Sequence, residues 1–222
     1  MRHRFFETAF TGPVLIEQER HGSRTAYSKL AGPDSGSDVG GLLGDGESAF
    51  IAARDSFYLG TVPETGWPHA QHRGGPAGFV RVLDHRTLGW ADFSGNRQYV
   101  SIGNVAANSR MAMFFMDYAA RRRLKVLGRM TAFEIDERPD LEEVLQVSGY
   151  KSRIEHAILV DVQAFDWNCP QHIVPRFTAA QMEEVVGSLR GRIDDLQARL
   201  SQALSTGVRD TQGIGMGDGD RP

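Results

Sequence analysis

The stretch FSGNRQYVSIGN, residues 93–104, sets Ser94, Asn96, Arg97 and Gln98 close together just ahead of an apolar pattern with helical spacing. Hydroxyl, amide and guanidinium groups are hydrogen-bond donors, and the free N–H groups at a helix start attract negative charge. An adjacent arginine adds a forked donor that matches phosphate. The chemistry such a loop suits is anion binding, with phosphate as the natural ligand. The alternative is a polar loop with a solvated arginine.

Four other places carry candidate chemistry. In RRRLKVLGR, residues 121–129, an extended chain puts Arg121, Arg123 and Lys125 on one face and Arg122 on the other. That face either meets a phosphate or carboxylate, or guards an exposed sheet edge with charge. In QHRGGPAGF, residues 71–79, glycines remove side chains where a strand should pack, which marks either close approach of a ligand to the backbone or a β-bulge or wide turn. His69 and His72 stand three apart, on opposite faces of a strand, and no further ligand stands at metal spacing beside them. Cys169 and His172 flank Pro170 and form a nucleophile pair only if a turn brings them together. The nucleotide and hydrolase signatures G-x-x-x-x-G-K-[ST], G-x-G-x-x-G after a strand, and G-x-S-x-G do not occur.

The elements that must position these residues are mostly strands. SFYLGTV and WPHAQHR flank the turn PETG, FVRVLD and LGWADF flank DHRT, and RMAMFFMDY, RLKVLGRMTAFEID and HAILVDVQAFDW follow. Short strands joined by local turns predict an antiparallel meander or small barrel, because parallel strands need long crossovers. Leu124, Val126 and Met130 fall on one side of the pleat. Helices are expected in residues 1–30, at 47–55, at 97–108 with Tyr99, Ile102 and Val105 on one face, and after Pro139. The chain therefore divides into an N-terminal arm and linker (1–46), a barrel domain (47–177), a C-terminal helix (178–205) and a disordered tail (206–222). In the helix, Thr178 and Gln181 have capping-box spacing. Met182, Val186, Leu189, Ile193, Leu196, Leu200 and Ala203 keep a heptad seam, which fits either a coiled coil or a helix packed along its own domain. Gly187 and Gly191 weaken that helix by about 1 kcal/mol each.

Composition bounds the partners. The chain has 222 residues, 41% hydrophobic and 24% charged, which is ordinary for a globular protein with a sizeable core. A net charge of −3 and an isoelectric point near 6.2 give no general attraction to nucleic acid. One cysteine precludes an intramolecular disulfide, so a reducing cytoplasm is expected. No apolar run reaches the length of a membrane span, and MRHRFFETAF does not read as a signal peptide.

Together, FYLGTV, HAQHRGGPAGFVRVLD, ADFSGNRQYVSIGN, RRRLKVLGR and DWNCPQHIVPRF, in this order, resemble the pyridoxamine 5′-phosphate oxidase-like flavoproteins, over roughly residues 47–177. The similarity is greatest to the branch described as flavin-nucleotide-binding proteins. The resemblance implies a mainly β fold, an antiparallel split β-barrel with peripheral helices, binding FMN at a homodimer interface. It implies that Ser94, Asn96, Arg97 and Gln98 hold the FMN phosphate. Arg73, Gly74, Phe79 and Val80 would lie along the isoalloxazine. Arg123 and Lys125 would add phosphate or ring contacts, and His172 with Arg176 would reach the flavin across the dimer. The implied activity is an FMN-dependent oxidoreductase with a small-molecule substrate or redox partner. Its alternatives are a non-catalytic flavin- or haem-binding module, a flavin carrier, or a user of the deazaflavin F420. Oxidases of the vitamin carry a C-terminal Arg-x-His motif; here a heptad helix and a glycine-rich tail stand instead.

Overall fold

The computed structural model describes residues 3–30, 40–167 and 169–211. They fall into two units, Met1–Pro175 and Arg176–Pro222. The first unit is built on seven strands: β1 Ser56–Thr61, β2 His69–Gly74, β3 Arg81–Val82, β4 Thr87–Phe93, β5 Arg110–Asp117, β6 Arg122–Glu134 and β7 Ile154–Trp167. Every pairing is antiparallel, in the order β2-β1-β5-β6-β7-β4-β3. The antiparallel pairing expected from the short turns is present, but the order is not a simple meander: β1 pairs with β5 and β4 with β7, so β2 and β3 end at opposite edges.

The sheet curls on itself. Phe57 of β1 packs edge-on against Trp90 of β4 with ring centroids 5.2 Å apart, although three strands separate β1 from β4 in the sheet order. It also stacks on Phe79 at 5.8 Å. Alternate residues of the strands fill the interior: Phe57 and Leu59, Met111, Met113 and Phe115, Leu124, Val126 and Met130. Burying each such side chain contributes roughly 1.5–3 kcal/mol. The two long strands bend together where the register shifts between Leu127 and Gly128. A Cβ on Gly128 would stand 2.7 Å from Val160 Cγ1 and 2.8 Å from the Asp161 carbonyl oxygen, so only glycine fits the bulge.

Helices close the ends. In α4 (Asp45–Ala52) the Glu47 carboxylate accepts the Gly44 N–H at 3.0 Å, so this helix begins inside the expected linker. Residues 31–39 of that linker lie outside the described residues. The helix expected over 97–108 is shorter: α5 covers Val100–Ala107, and Tyr99 caps it in the left-handed conformation. Ser101 donates to Gln71 of β2 and Asn104 to Thr61 of β1, both at 2.9 Å, which fastens α5 to the strands. Pro139 opens α6 (Pro139–Leu145) as expected. The N-terminal arm forms α1 Arg4–Ala9, α2 Gly12–Arg20 and α3 Arg24–Leu30, with Phe5 and Phe6 buried against Ala164.

The second unit is dominated by α7, Ala179–Thr211. Its cap is reciprocal: Gln181 accepts the Thr178 N–H and Thr178 accepts the Gln181 N–H. The helix runs past Ser205, so the first residues expected to be disordered are helical; residues 212–222 lie outside the described residues. Met182, Leu189, Ile193, Leu196 and Leu200 of the heptad seam are all exposed. Among the described residues no helix is long and apolar enough to cross a membrane.

The bulge yields a direct test. Gly128→Ala is expected to lower the unfolding free energy by about 1–3 kcal/mol through overpacking. Urea denaturation measures it, and an unchanged midpoint would show that β6 and β7 do not need this close approach.

Candidate functional site

A cavity of about 460 Å³ opens between β2, β4 and the loop that leads into α5, within the usual range for small-molecule sites. Its wall from β2 carries His69, Gln71 and Arg73, the inward-facing half of that strand. β4 contributes Trp90 and Asp92, and the loop contributes Ser94 to Tyr99. Phe79, Tyr150 and Glu155 complete much of the rest.

Across the cavity wall Arg73 forms an ion pair with Asp92. The two residues belong to strands near opposite ends of the sheet order, so the pair spans the seam where the curled sheet fails to close. Asp92 sits in LGWADF, an otherwise apolar strand. Burial pushes its carboxyl group above the usual range, while the charges of Arg73 and then His156 pull it back. His156, 7% exposed, lies with Nδ1 3.8 Å from Asp92 and Nε2 3.3 Å from Glu134.

The loop is unusual in its backbone. Arg97 and Tyr99 both have positive φ, 59° and 53°. Such residues cost roughly 1–3 kcal/mol each and persist where surrounding contacts hold them. Here Arg97 Nε donates to the Tyr99 hydroxyl at 3.1 Å, and the Gln98 N–H donates to Asn96 Oδ1 at 3.2 Å. Ser94 donates its hydroxyl to Glu155 at 2.9 Å, and that bond is the first cause holding the Glu155 carboxyl below its ordinary range.

The turn before Phe79 is fixed by backbone bonds from Gly75 and Gly78 to Asp55 and Arg54. A Cβ on Gly75 would meet the Phe79 ring at 2.8 Å. This glycine makes room for an aromatic side chain of the same turn, a packing role that its sequence neighbourhood left open.

Residues 45–176 match the family described as pyridoxamine 5′-phosphate oxidase. The chain belongs to the pyridoxamine 5′-phosphate oxidase family. Its fold is the family's split β-barrel, with a long C-terminal helix added. No curated protein matches the sequence. Similar solved structures include an FMN-binding protein from Syntrophomonas wolfei (12% identity, TM-score 0.41, 55% of this chain and 83% of that one). General Stress Protein 26 from Bacillus anthracis matches at 15% identity with TM-score 0.42, over 59% and 92% of the two chains. HupZ from Group A Streptococcus matches at 11% identity with TM-score 0.44, over 61% and 100%.

In this oxidase-family chain the cavity gathers Arg73, Gly74, Phe79, Ser94, Asn96, Arg97 and Gln98 of the residues expected from sequence. It does not gather Val80, Arg123, Lys125 or His172 from the same unit. Val80 is buried in the core. Arg121 lies in the turn before β6 with φ 54°, so it does not share the strand face expected for it. Arg123 and Lys125 alternate with the core residues Leu124 and Val126 and so point out of the barrel. There Arg123 lies over the Phe114 ring, and Lys125 pairs with Asp166 at 3.3 Å and lies over Phe5. His172 and Cys169 are both exposed. Arg176 belongs to the other unit.

Sequence reasoning missed Asp92, His156, Trp90 and Glu155. A charge inside the apolar run LGWADF was a visible signal for Asp92; its partner across the seam was not visible.

Removing one member of a buried ion pair costs about 3–5 kcal/mol, because the other charge stays buried. Arg73→Met is expected to lower stability by that order, and Arg73→Met with Asp92→Leu by clearly less. Without Arg73 the Asp92 carboxyl binds its proton more readily folded than unfolded, so the loss shrinks as pH falls and is full at neutral pH. Denaturant unfolding at two pH values measures this, and equal losses in the single and double variants would contradict a buried pair.

Proposed function

We propose that this protein is an FMN-dependent oxidoreductase of a small molecule, working as a cytoplasmic homodimer with the flavin between the subunits. The observation that carries the reading is the cavity at the barrel seam, where a wall of Arg73, Gly74 and Phe79 adjoins the donor-rich loop of Ser94 to Gln98. The fit is supported by unpaired groups: His69 Nε2, Arg73 Nε and Trp90 Nε1 are buried without a protein partner, and all three residues line the cavity. Buried polar atoms are normally paired, so a ligand with acceptors suits this wall.

In this reading the bound flavin supplies the electron and hydride chemistry, and the protein binds, orients and tunes it. Ser94, Asn96, Arg97 and Gln98 hold the phosphate, with a phosphate oxygen taking the place that Glu155 has at the Ser94 hydroxyl. Arg73 offers a positive charge to the ring edge that becomes electron-rich on reduction. Phe79 supplies an apolar surface beside the ring.

Arg123, Lys125 and His172 lie away from their own chain's cavity, which accords with contacts to a partner subunit's flavin. The outward face of β1 and β5 offers apolar surface for that partner: Tyr58, 43% exposed, and Phe114, paired with it in register.

Arg97→Ala is expected to weaken FMN binding by about 1.5–3 kcal/mol, the contribution of a hydrogen bond to a charged group. Riboflavin, which lacks the phosphate, should bind variant and wild type alike. Fluorescence titration of both ligands measures this; equal losses for the two would remove the loop from the phosphate.

A further inference from the structure

Asp92, His156 and Glu134 occupy one row across three adjacent strands: Asp92 of β4 pairs in register with His156 of β7, which pairs with Glu134 of β6. The row begins at the exposed Glu134, passes through the buried imidazole and ends at the carboxylate that grips Arg73 in the cavity wall. We propose that this row is a charge-setting device for the cavity: Asp92 positions Arg73, and the protonation of His156 decides how much of the Arg73 charge is left for a ligand.

Asp92 is 6% exposed and has two basic neighbours, Arg73 on one oxygen and His156 beside the other. A neutral His156 leaves Arg73 as the one full positive charge against Asp92, and the pair is then close to neutral. A protonated His156 shares the Asp92 charge and leaves a net positive wall. Histidine is the side chain whose ordinary titration lies between about pH 5 and 8. The groups facing this imidazole are Asp92 from β4, Glu134 from β6, its strand neighbour Glu155, and the Tyr99 ring at the cap of α5, edge-on at 5.9 Å. Arg73 from β2 acts on it through Asp92. Two carboxylates flank the ring directly, Asp92 from the cavity side and Glu134 from the exposed end. Nothing in ordinary core packing requires a histidine between an exposed and a buried carboxylate, whereas tuning a cation in a binding wall does.

The proposal rests on the flavin reading for its ligand, so the test has one arm that needs no ligand. In that arm, NMR titration of the His156 ring is followed in the ligand-free wild type, Arg73→Met, Asp92→Asn and Glu134→Gln. The midpoint is expected to move to higher pH in Arg73→Met and to lower pH in Asp92→Asn and Glu134→Gln. Superposable curves in Arg73→Met and wild type would overturn the coupling whatever the ligand is. Should Asp92→Asn fail to fold, Glu134→Gln at the exposed end carries the comparison, and no shift there would equally overturn it.

In the second arm, the midpoint potential of bound FMN is measured against pH. Asp92→Asn is expected to favour reduced over oxidised flavin by about tenfold, which is about 30 mV for a two-electron couple. The wild-type potential should rise more steeply on acidification than that of His156→Gln. Identical potentials in Asp92→Asn and wild type, or identical pH slopes in His156→Gln and wild type, would overturn the proposal. A wild type that takes up no FMN would overturn the flavin reading instead, and the row would be judged on the ring titrations.

Discussion

The ion pair of Arg73 with Asp92 does what backbone hydrogen bonds cannot do in this sheet. β2 and β3 end the strand order, and a strand at the end of a sheet has unpaired N–H and C=O groups. Curling brings β2 towards β4 without forming a ladder between them. A long, forked side chain from one strand and a buried carboxylate from the other bridge the gap. The cavity is what the gap leaves over. The barrel's incomplete closure and its cavity are therefore one feature, and the same pair serves both.

Around that pair the structure divides labour by burial. The apolar interior, from Phe57 through Trp90 to Phe115, sets the curvature and needs no polar help. Several polar groups inside it meet across elements: Ser101 with Gln71, Asn104 with Thr61, Asp92 with Arg73. Each of these joins elements that are not neighbours in the sheet, so the polar contacts fix tertiary arrangement while the apolar ones supply most of the free energy. The loop of Ser94 to Tyr99 hangs between them. Its two left-handed residues are held by α5 on one side and by Glu155 and Tyr99 contacts on the other, which pre-forms the donor-rich surface.

What could be read from the sequence was what is local. The strand at RMAMFFMDY, the proline opening α6 and the Thr178–Gln181 cap depend on residues a few positions apart, and each appears as expected. The start of α5 was misread because Arg97, Gln98 and Tyr99 have acceptable helix propensity; the left-handed cap at Tyr99 is imposed by tertiary contacts. The basic stretch 121–129 was legible as charge but not as geometry, since the turn at Arg121 shifts which residues share a face. Half of the candidate site was legible through its motifs, Arg73 and the 94–98 loop above all. The row of Asp92, His156 and Glu134 was not, because its members come from three separate strands and meet only through register.

The most direct test of a flavin held at the seam is the indole N–H resonance of Trp90 in a ¹⁵N-labelled sample titrated with FMN. Trp90 is 1% exposed, its Nε1 has no protein partner, and it lines the cavity wall beside Asp92. The account predicts a saturable shift of this resonance that follows the same binding curve as the flavin fluorescence. Saturation with FMN that leaves the Trp90 resonance unmoved would place the flavin elsewhere and contradict the account.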